Sequence, residues 1–214
     1  MKSLIFAMTL VSAVFTQAAL LSFEPGTLQI ENINLNKTAT INKADGTPST
    51  IKMDLLGAGL RSKTVLFVAA KVYVLQIFAD NKNFDRNDNA VTSISTNSTS
   101  VVLKISMLRT VSAASLATSF REALEANSFE IDTELTALLG IIESSAAGTQ
   151  GKTISMLMNK ADGKTNVYYE DTTGQLKSFV GSASVMPKIL SIWLGTPVDS
   201  GLATMKNQLL KSVY

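Results

Sequence analysis

Residues 56–78 read LGAGLRSKTVLFVAAKVYVLQIF, which joins a short glycine-rich motif to a long apolar run. From Thr64 to Phe78 nearly every residue is apolar or β-branched, and only Lys71 and Gln76 interrupt the run. Such a composition is typical of a central strand, or of a pair of strands, that is buried on both faces. The stretch therefore predicts the middle of a β-sheet.

The motif GAGLR at 57–61 precedes this run. Two glycines spaced by one residue allow a tight turn or a close approach to another group, but no third glycine completes a dinucleotide-binding fingerprint. The guanidinium of Arg61 cannot lose its proton, so a buried Arg61 needs a carboxylate, a phosphate, backbone carbonyls or water. A bound organic acid would supply a bidentate acceptor. The alternative is an exposed or salt-bridged structural arginine, and both interpretations stay open at this point.

Strand and loop signals continue on both sides of this stretch. Alternating residues from Phe23 to Met53 predict edge strands with a hairpin-type turn at Asp45-Gly46. Further strand and loop predictions are a loop at 80–89, an exposed polar stretch at 91–100, a strand at 101–107, a hairpin around 161–164 with strands at 152–158 and 166–170, and a turn at Gly174.

Helical periodicity appears in two pairs of segments. Ser112 is a plausible N-cap for an amphipathic helix that runs to Phe129, and a second helix is predicted over 132–143. The chain ends with a helix at 183–194, a break at 195–197 and a last helix at 200–213. Strands followed by paired helices predict an α+β fold, with an antiparallel sheet covered on one face by helices.

The composition excludes several kinds of chemistry. The net charge is only +2 and no block of like charges occurs, so we expect no nucleic-acid partner. The chain has no Cys and no His, which excludes thiol and His-based mechanisms, and we expect no metal and no cofactor. Paired carboxylates such as Asp132 with Glu134, or Glu170 with Asp171, lie in polar contexts and are interpreted as solvated surface.

The first 18 residues have the pattern of an export signal. Lys2 is followed by an apolar stretch from Leu4 to Phe15 and by small residues before Ala19. The apolar stretch is too short to span a bilayer, which takes about 20 residues. We therefore predict a signal peptide at 1–18, a single domain at 19–214, export to the periplasm or beyond the cell, and no integral membrane segment after signal removal.

Four segments together resemble the chalcone isomerase-like family. They are GAGLR at 57–61, KVY at 71–73, the Leu108-Arg109 strand end before the helix at 112–127, and the Trp193-Leu194-Gly195 break with its trailing helix. They occur in the family's order and cover roughly residues 50–212. The resemblance implies an open-faced β-sandwich, a large antiparallel sheet under a helix layer, with an apolar ligand cleft between the two.

Most catalytic residues of chalcone isomerases have no counterpart in this chain. The resemblance places the family's arginine at Arg61, but its strand threonine falls at Val68, its helix tyrosine at Leu116 and its asparagine at Ala123. The last hydroxyl position falls at Ile192, or at Ser191 with a one-residue slip, and a slip in the helix brings in Ser115 or Thr118. We therefore assign no catalytic residue.

Other members of the family bind fatty acids without catalysis, through the same arginine and a strand tyrosine. Arg61 and Tyr73 resemble that pair, so the predicted ligand is a small apolar carboxylate or a phenolic compound. The alternatives are an intramolecular lyase acting through Arg61 and a structural or interaction protein without a ligand. Because side chains alternate along a strand, Lys71 is predicted to lie on the same face as Tyr73. It is then either a second contact for the anion or an edge lysine whose ammonium reaches water. Trp193 is interpreted as core.

Overall fold

The computed structural model describes residues 19–42, 48–65, 68–87 and 89–211. They form eight strands and five helices. The strands are β1 (Leu21–Ile30), β2 (Ile33–Asn42), β3 (Pro48–Val65), β4 (Val68–Ala79), β5 (Ser100–Met107), β6 (Thr153–Ala161), β7 (Lys164–Glu170) and β8 (Leu176–Ser182). The helices are α1 (Ala90–Asn97), α2 (Ala113–Ala126), α3 (Thr133–Glu143), α4 (Val185–Leu194) and α5 (Ser200–Leu209). The predicted signal peptide and the Asp45-Gly46 turn lie outside the described residues.

All eight strands belong to one antiparallel sheet in which sequence order is also spatial order. Each strand pairs with the next, even where helices intervene in sequence, with α1 between β4 and β5 and with α2 and α3 between β5 and β6. Between β6 and β7 the two turn residues Asp162 and Gly163 have φ values of 50° and 72°, which is the left-handed pair that a tight two-residue hairpin requires. The predicted hairpin around 161–164 is confirmed.

One face of the sheet, the helix face, carries the helices and the larger hydrophobic core. Alternate residues of the central strands, such as Leu75 and Leu103, pack there against α2, α3 and α4, and Trp193 is 1% exposed. The prediction of Trp193 as a core residue is confirmed. Helix α2 begins where its capping residue predicts, since the Ser112 side chain accepts a hydrogen bond from Ser115 N.

The opposite face, the back face, is partly covered by β1 and β2. These strands pack across β4 and β5, so that Phe78 and Val102 are completely buried. The side chain of Gln76 accepts a 2.6 Å hydrogen bond from Asn36 N, and Lys104 Nζ donates to Asn36 Oδ1 at 2.5 Å. The sheet is therefore packed on both sides near β4, as its apolar sequence predicts.

Of the two alternatives for the GAG segment, the tight turn is not found, because the segment is the interior of β3. The predicted pair of strands at 64–78 is confirmed as the end of β3 followed by β4, although Val68 is exposed at the strand start. One local prediction was wrong. The polar stretch 91–100 forms α1, whose Ala90 and Ile94 face the core although the residues around them are Ser, Thr and Asn. Strand β8 was not predicted.

Among the described residues, no helix combines the length and the apolar character that a membrane crossing requires.

Candidate ligand site

Arg61 and Tyr73 are direct cross-strand neighbours on β3 and β4. Both side chains project from the helix face, and their residues are 8% and 6% exposed. Directly opposed residues in an antiparallel pair hold their Cβ atoms about 5 Å apart. The sheet thus brings together the two residues for which the sequence predicts a ligand-binding role, and that role itself stays a prediction.

The guanidinium of Arg61 is paired with a carboxylate from the far end of the chain. Its Nη1 and Nη2 atoms donate to Asp199 Oδ1 and Oδ2 at 2.7 and 2.6 Å, which is a two-pronged ion pair. Nη1 also donates to the carbonyl oxygen of Ser62. The structure agrees with the interpretation of Arg61 as a salt-bridged residue. A bound ligand is not needed to neutralise its charge.

Asp199 has a second task as the N-cap of α5. Its Oδ1 accepts a 2.8 Å hydrogen bond from Leu202 N, which satisfies one of the free N–H groups of the first turn. Burial alone would raise the pKa of the Asp199 carboxyl, but the bonds from Arg61 and Leu202 outweigh burial and hold its pKa below the ordinary value of 3.8. Asp199 therefore stays ionised at neutral pH.

The two glycines of the GAG motif serve the packing of α5 onto β3. A Cβ at Gly57 would lie 2.0 Å from the Leu209 carbonyl oxygen, and one at Gly59 would lie 3.0 Å from that of Met205. At the start of the helix, a Cβ at Gly201 would lie 1.9 Å from Ser62 O and 2.7 Å from Arg61 Nη1. The close approach that the motif predicts is therefore made to a helix backbone.

The far end of α5 is held by a second arginine. Arg86 Nη1 donates to the carbonyl oxygens of Leu56 and Lys211 at 3.1 and 3.0 Å, and its guanidinium stacks 4.4 Å from the ring centroid of Phe84. Helix α5 is thus attached to β3 by an arginine at each end. Only Arg61 reaches the interior between the sheet and the helices.

Tyr73 is also engaged by the protein. Its hydroxyl oxygen accepts a 2.9 Å hydrogen bond from Trp193 Nε1, and Trp193 meets the ring of Phe120 edge-on at 5.1 Å. Burial raises the pKa of the Tyr73 phenol, and the hydrogen bond from Trp193 and the charge of Arg61 only partly oppose this. Tyr73 is a neutral phenol whose own hydroxyl hydrogen is available to a further acceptor.

A small cavity lies beside these groups. Its volume is about 20 Å³, close to the space of a single water molecule. It is lined by Arg61, Tyr73, Ser119, Phe120, Glu122, Ala123, Ile192, Val198 and Leu202. Apart from the two predicted residues and the polar Ser119 and Glu122, the walls are apolar.

The positions predicted to replace the catalytic residues fall in different places. Ala123 and Ile192 line the cavity and bring no polar atom to it, while Leu116 is buried in the core. Val68 lies exposed at the start of β4, and Ser191 donates to the Lys188 carbonyl oxygen. The cavity thus offers a guanidinium and a phenol, and the carboxylates near them are Asp199, which is bound to Arg61, and the exposed Glu122.

The interpretation of Lys71 as a neighbour of Tyr73 was wrong. The pairing shifts between Arg61↔Tyr73 and Ser62↔Lys71, so Val72 is an extra residue that reverses the alternation. Lys71 therefore points to the back face, where its ammonium pairs with Glu31 at 2.6 Å. It makes no contact with Arg61 or Tyr73 in the described structure.

One predicted surface carboxylate is also misplaced. Asp171 is 4% exposed, and it accepts hydrogen bonds from Ala146 N, Gln175 N and both the backbone N–H and hydroxyl of Thr173. These bonds order the β7–β8 connection. Within the described residues no group of three or more Asp or Glu side chains is arranged to hold a metal ion.

Sequence reasoning missed Asp199 as a site residue. The signal for its helix-capping role was present, because an Asp between Pro197 and the last predicted helix is a typical N-cap. Nothing local links that cap to Arg61, 138 positions away.

The family model described as chalcone isomerase-like matches residues 28–211, and the chain belongs to that family. Among solved structures, a fatty-acid binding protein of Arabidopsis thaliana is similar, with a TM-score of 0.56 and 16% sequence identity over 80% of this chain and 95% of that one. At this identity the likeness shows the fold, which confirms the predicted α+β open-faced sandwich. The search of curated proteins found no match.

Proposed function

We propose that the protein binds a fatty acid or a similar small apolar acid between the sheet and the helix layer, with Arg61 and Tyr73 at the head-group end. One observation carries this proposal: a buried guanidinium and a buried phenol lie side by side at a cavity whose other walls are mostly apolar. A cation and a hydroxyl donor suit a carboxylate head group, and apolar walls suit a hydrocarbon tail.

The family neighbour of known structure is titled a fatty-acid binding protein, which supports the same kind of ligand for this chain. In this proposal the protein acts after export, in the periplasm or outside the cell, as the pattern of residues 1–18 suggests. Its partner is the apolar acid itself.

The proposal favours binding over cyclisation of chalcones. Ala123 and Ile192, which stand at two catalytic positions of the family, carry no group that can position a phenolate or move a proton. An intramolecular lyase would have to act through Arg61 and ordered water alone. Cyclisation of a chalcone panel above the uncatalysed rate would restore the enzymatic alternative.

The test is the recovery of ligand and its dependence on Arg61. We expect native mass spectrometry of the purified protein, before and after addition of dodecanoate, to show a one-to-one complex. Arg61→Gln should weaken dodecanoate binding at least about tenfold, which corresponds to losing one charge-assisted pair. The matched control is Arg86→Gln, which removes the other arginine that fixes α5 but does not touch the cavity.

Equal affinity of Arg61→Gln and Arg86→Gln for dodecanoate would contradict the proposal. So would the absence of any complex in the parent protein and both variants.

A second candidate function is a structural or interaction protein whose cleft is filled by its own side chains. A specific observation favours it. Asp199 accepts hydrogen bonds from both Nη1 and Nη2 of Arg61, and the cavity beside them has room for about one water. This candidate predicts that no fatty acid binds any variant and that Arg61→Gln changes only the stability.

A further inference from the structure

We infer that Asp199 occupies, in the ligand-free protein, the position of the ligand's own carboxylate, and that an apolar monocarboxylate binds by displacing Asp199 and the first turn of α5. This inference rests on the proposed function and names the head group it takes.

The geometry of the Arg61–Asp199 pair defines the chemistry that the site accepts. Two oxygens of one carboxylate meet two nitrogens of one guanidinium at 2.7 and 2.6 Å. A ligand carboxylate can reproduce both bonds, whereas a phenolate has one oxygen and reproduces only one. The exchange also replaces one carboxylate beside Arg61 by another, so the buried cation is paired both before and after the ligand binds.

The position of Asp199 makes it displaceable. Its side chain is 33% exposed while that of Arg61 is 10% exposed, so the carboxylate already meets water on one side. Within the described residues its hydrogen bonds go only to Arg61 and Leu202 N. A released Asp199 can go on capping α5 while water replaces Arg61, and the exchange costs little in desolvation.

Movement of this segment also provides the missing space. Val198 and Leu202, on either side of Asp199 in sequence, form part of the wall of the 20 Å³ cavity. Displacing the turn that carries them joins the cavity to solvent at the start of α5. The tail of the ligand then lies against the apolar wall formed by Phe120, Ala123 and Ile192.

Glu122 restricts the ligand further. It lies at the cavity on the exposed side of α2, so a second carboxylate on the ligand would meet a like charge there. The site is therefore expected to prefer a monocarboxylate over a dicarboxylate of the same length.

An internal competitor lowers the apparent affinity of the ligand, because only the fraction of molecules with Arg61 free can bind. Asp199→Asn removes the competing charge and keeps a side-chain oxygen for the helix cap. We expect this variant to bind dodecanoate about tenfold tighter or more than the parent. A purely structural Asp199 predicts equal or weaker binding.

The experiment titrates the full mature chain with dodecanoate, and in parallel with dodecanol, and follows the fluorescence of Trp193, the single tryptophan. The matched control is Asp132→Asn, because Asp132 also caps a helix and pairs with a cation, but at the surface. Asp199→Asn should tighten dodecanoate binding and leave dodecanol binding within about twofold of the parent, since only the acid competes for Arg61. Asp132→Asn should change neither, and Arg61→Gln combined with Asp199→Asn should lose the gain.

Each other outcome overturns a defined part of the account. If the parent binds dodecanoate through Arg61 and Asp199→Asn does not tighten it, the displacement inference is wrong and the proposed function stands. If dodecanol gains as much as dodecanoate, the variant only opens the cavity, and the inference is again wrong. If neither the parent nor any variant binds dodecanoate, both the displacement inference and the proposed function are wrong. Asp199→Ser, which also keeps a capping oxygen, repeats the test should Asp199→Asn fail to fold.

Discussion

Helices α3 and α5 both begin with an aspartate N-cap, and they differ in the cation that pairs with this aspartate. Asp132 accepts a hydrogen bond from Leu135 N and pairs with Lys188 at 2.5 Å, while Asp199 accepts one from Leu202 N and pairs with Arg61. Lys188 is a single ammonium whose partner carboxylate is 42% exposed, whereas Arg61 is a planar guanidinium on the central strand β3. A capping carboxylate is thus a local helix feature in α3 and the partner of a candidate binding residue in α5.

The same contrast extends to a glycine in each helix. Gly140 of α3 has nothing within 4 Å of its missing Cβ, whereas the missing Cβ of Gly201 in α5 would overlap Ser62 O. Helix α5 lies against the backbone of β3 and α3 does not. The start of α5 therefore packs directly against Arg61 and β3. Three of four predictions test that difference between the helices, and the other concerns Tyr73, the neighbour of Arg61.

The largest effect is expected from glycine substitution. Gly201→Ala should destabilise the protein by about 3 kcal/mol, because the new methyl group forces α5 away from β3 and from Arg61. Gly140→Ala should instead stabilise it by about 0.5 to 1 kcal/mol, since alanine is the better helix former and the space is open. Urea unfolding of both variants measures the two values. Equal effects of the two substitutions would remove the proposed distinction between the helices.

The next effect concerns the two caps. Asp199→Asn should lower the free energy of unfolding by about 2 kcal/mol, because it leaves a buried guanidinium without its counter-charge. Asp132→Asn should cost less than about 1 kcal/mol, since the Asp132 side chain is 42% exposed and asparagine still caps the helix. Chemical denaturation at neutral pH gives both numbers, and a larger loss for Asp132→Asn would contradict the account.

Tyr73 should matter at a slightly smaller scale. Tyr73→Phe removes the acceptor of the buried Trp193 N–H, and we expect a loss of about 1 to 2 kcal/mol with a shift in tryptophan emission. Tyr169→Phe is the control. Tyr169 is a buried tyrosine of the same core, but Trp193 donates its hydrogen bond to Tyr73 and not to Tyr169. Unchanged emission in Tyr73→Phe would show that the Trp193 hydrogen bond does not form in solution.

The smallest effect is the pH dependence of stability. The pKa of Asp199 is lower in the folded protein than its ordinary value of 3.8, so its contribution to stability is complete above that value and is lost as the pH falls through the folded pKa. The pKa of Asp132 is lowered as well, through Lys188 and Leu135 N. We expect Asp199→Asn and Asp132→Asn each to flatten the acid side of the stability profile. The parent slope persisting in Asp199→Asn would exclude the ion pair as its source.

Much of the fold was predictable because its signals are local. The cap at Ser112, the Asp162-Gly163 turn and the 3.6-residue periods of α2 and α3 each lie within a few residues of the element they specify. The apolar run at 64–78 indicated the centre of the sheet for the same reason. The location of α1 was not predictable in this way, because two buried side chains decide it against the polarity of its other residues.

The candidate site was predictable only in part. The adjacency of Arg61 and Tyr73 follows the pattern of the family, but the partner of Arg61 lies 138 residues away and belongs to a helix that packs on β3 only in the folded chain. The bulge at Val72 places Lys71 on the other face of the sheet, and the alternation of residues in the sequence does not reveal this bulge. Tertiary packing thus decides both features.

The most direct test of the central claim is a crystal structure of the protein with dodecanoate. We expect the ligand's carboxylate to make both hydrogen bonds to Arg61, the Asp199 carboxylate to have moved into solvent, and the first turn of α5 to be displaced from β3. The claim would be contradicted by a structure in which dodecanoate is bound elsewhere, for instance in the open groove beside Leu28 and Leu60 on the back face, while Asp199 still holds Arg61.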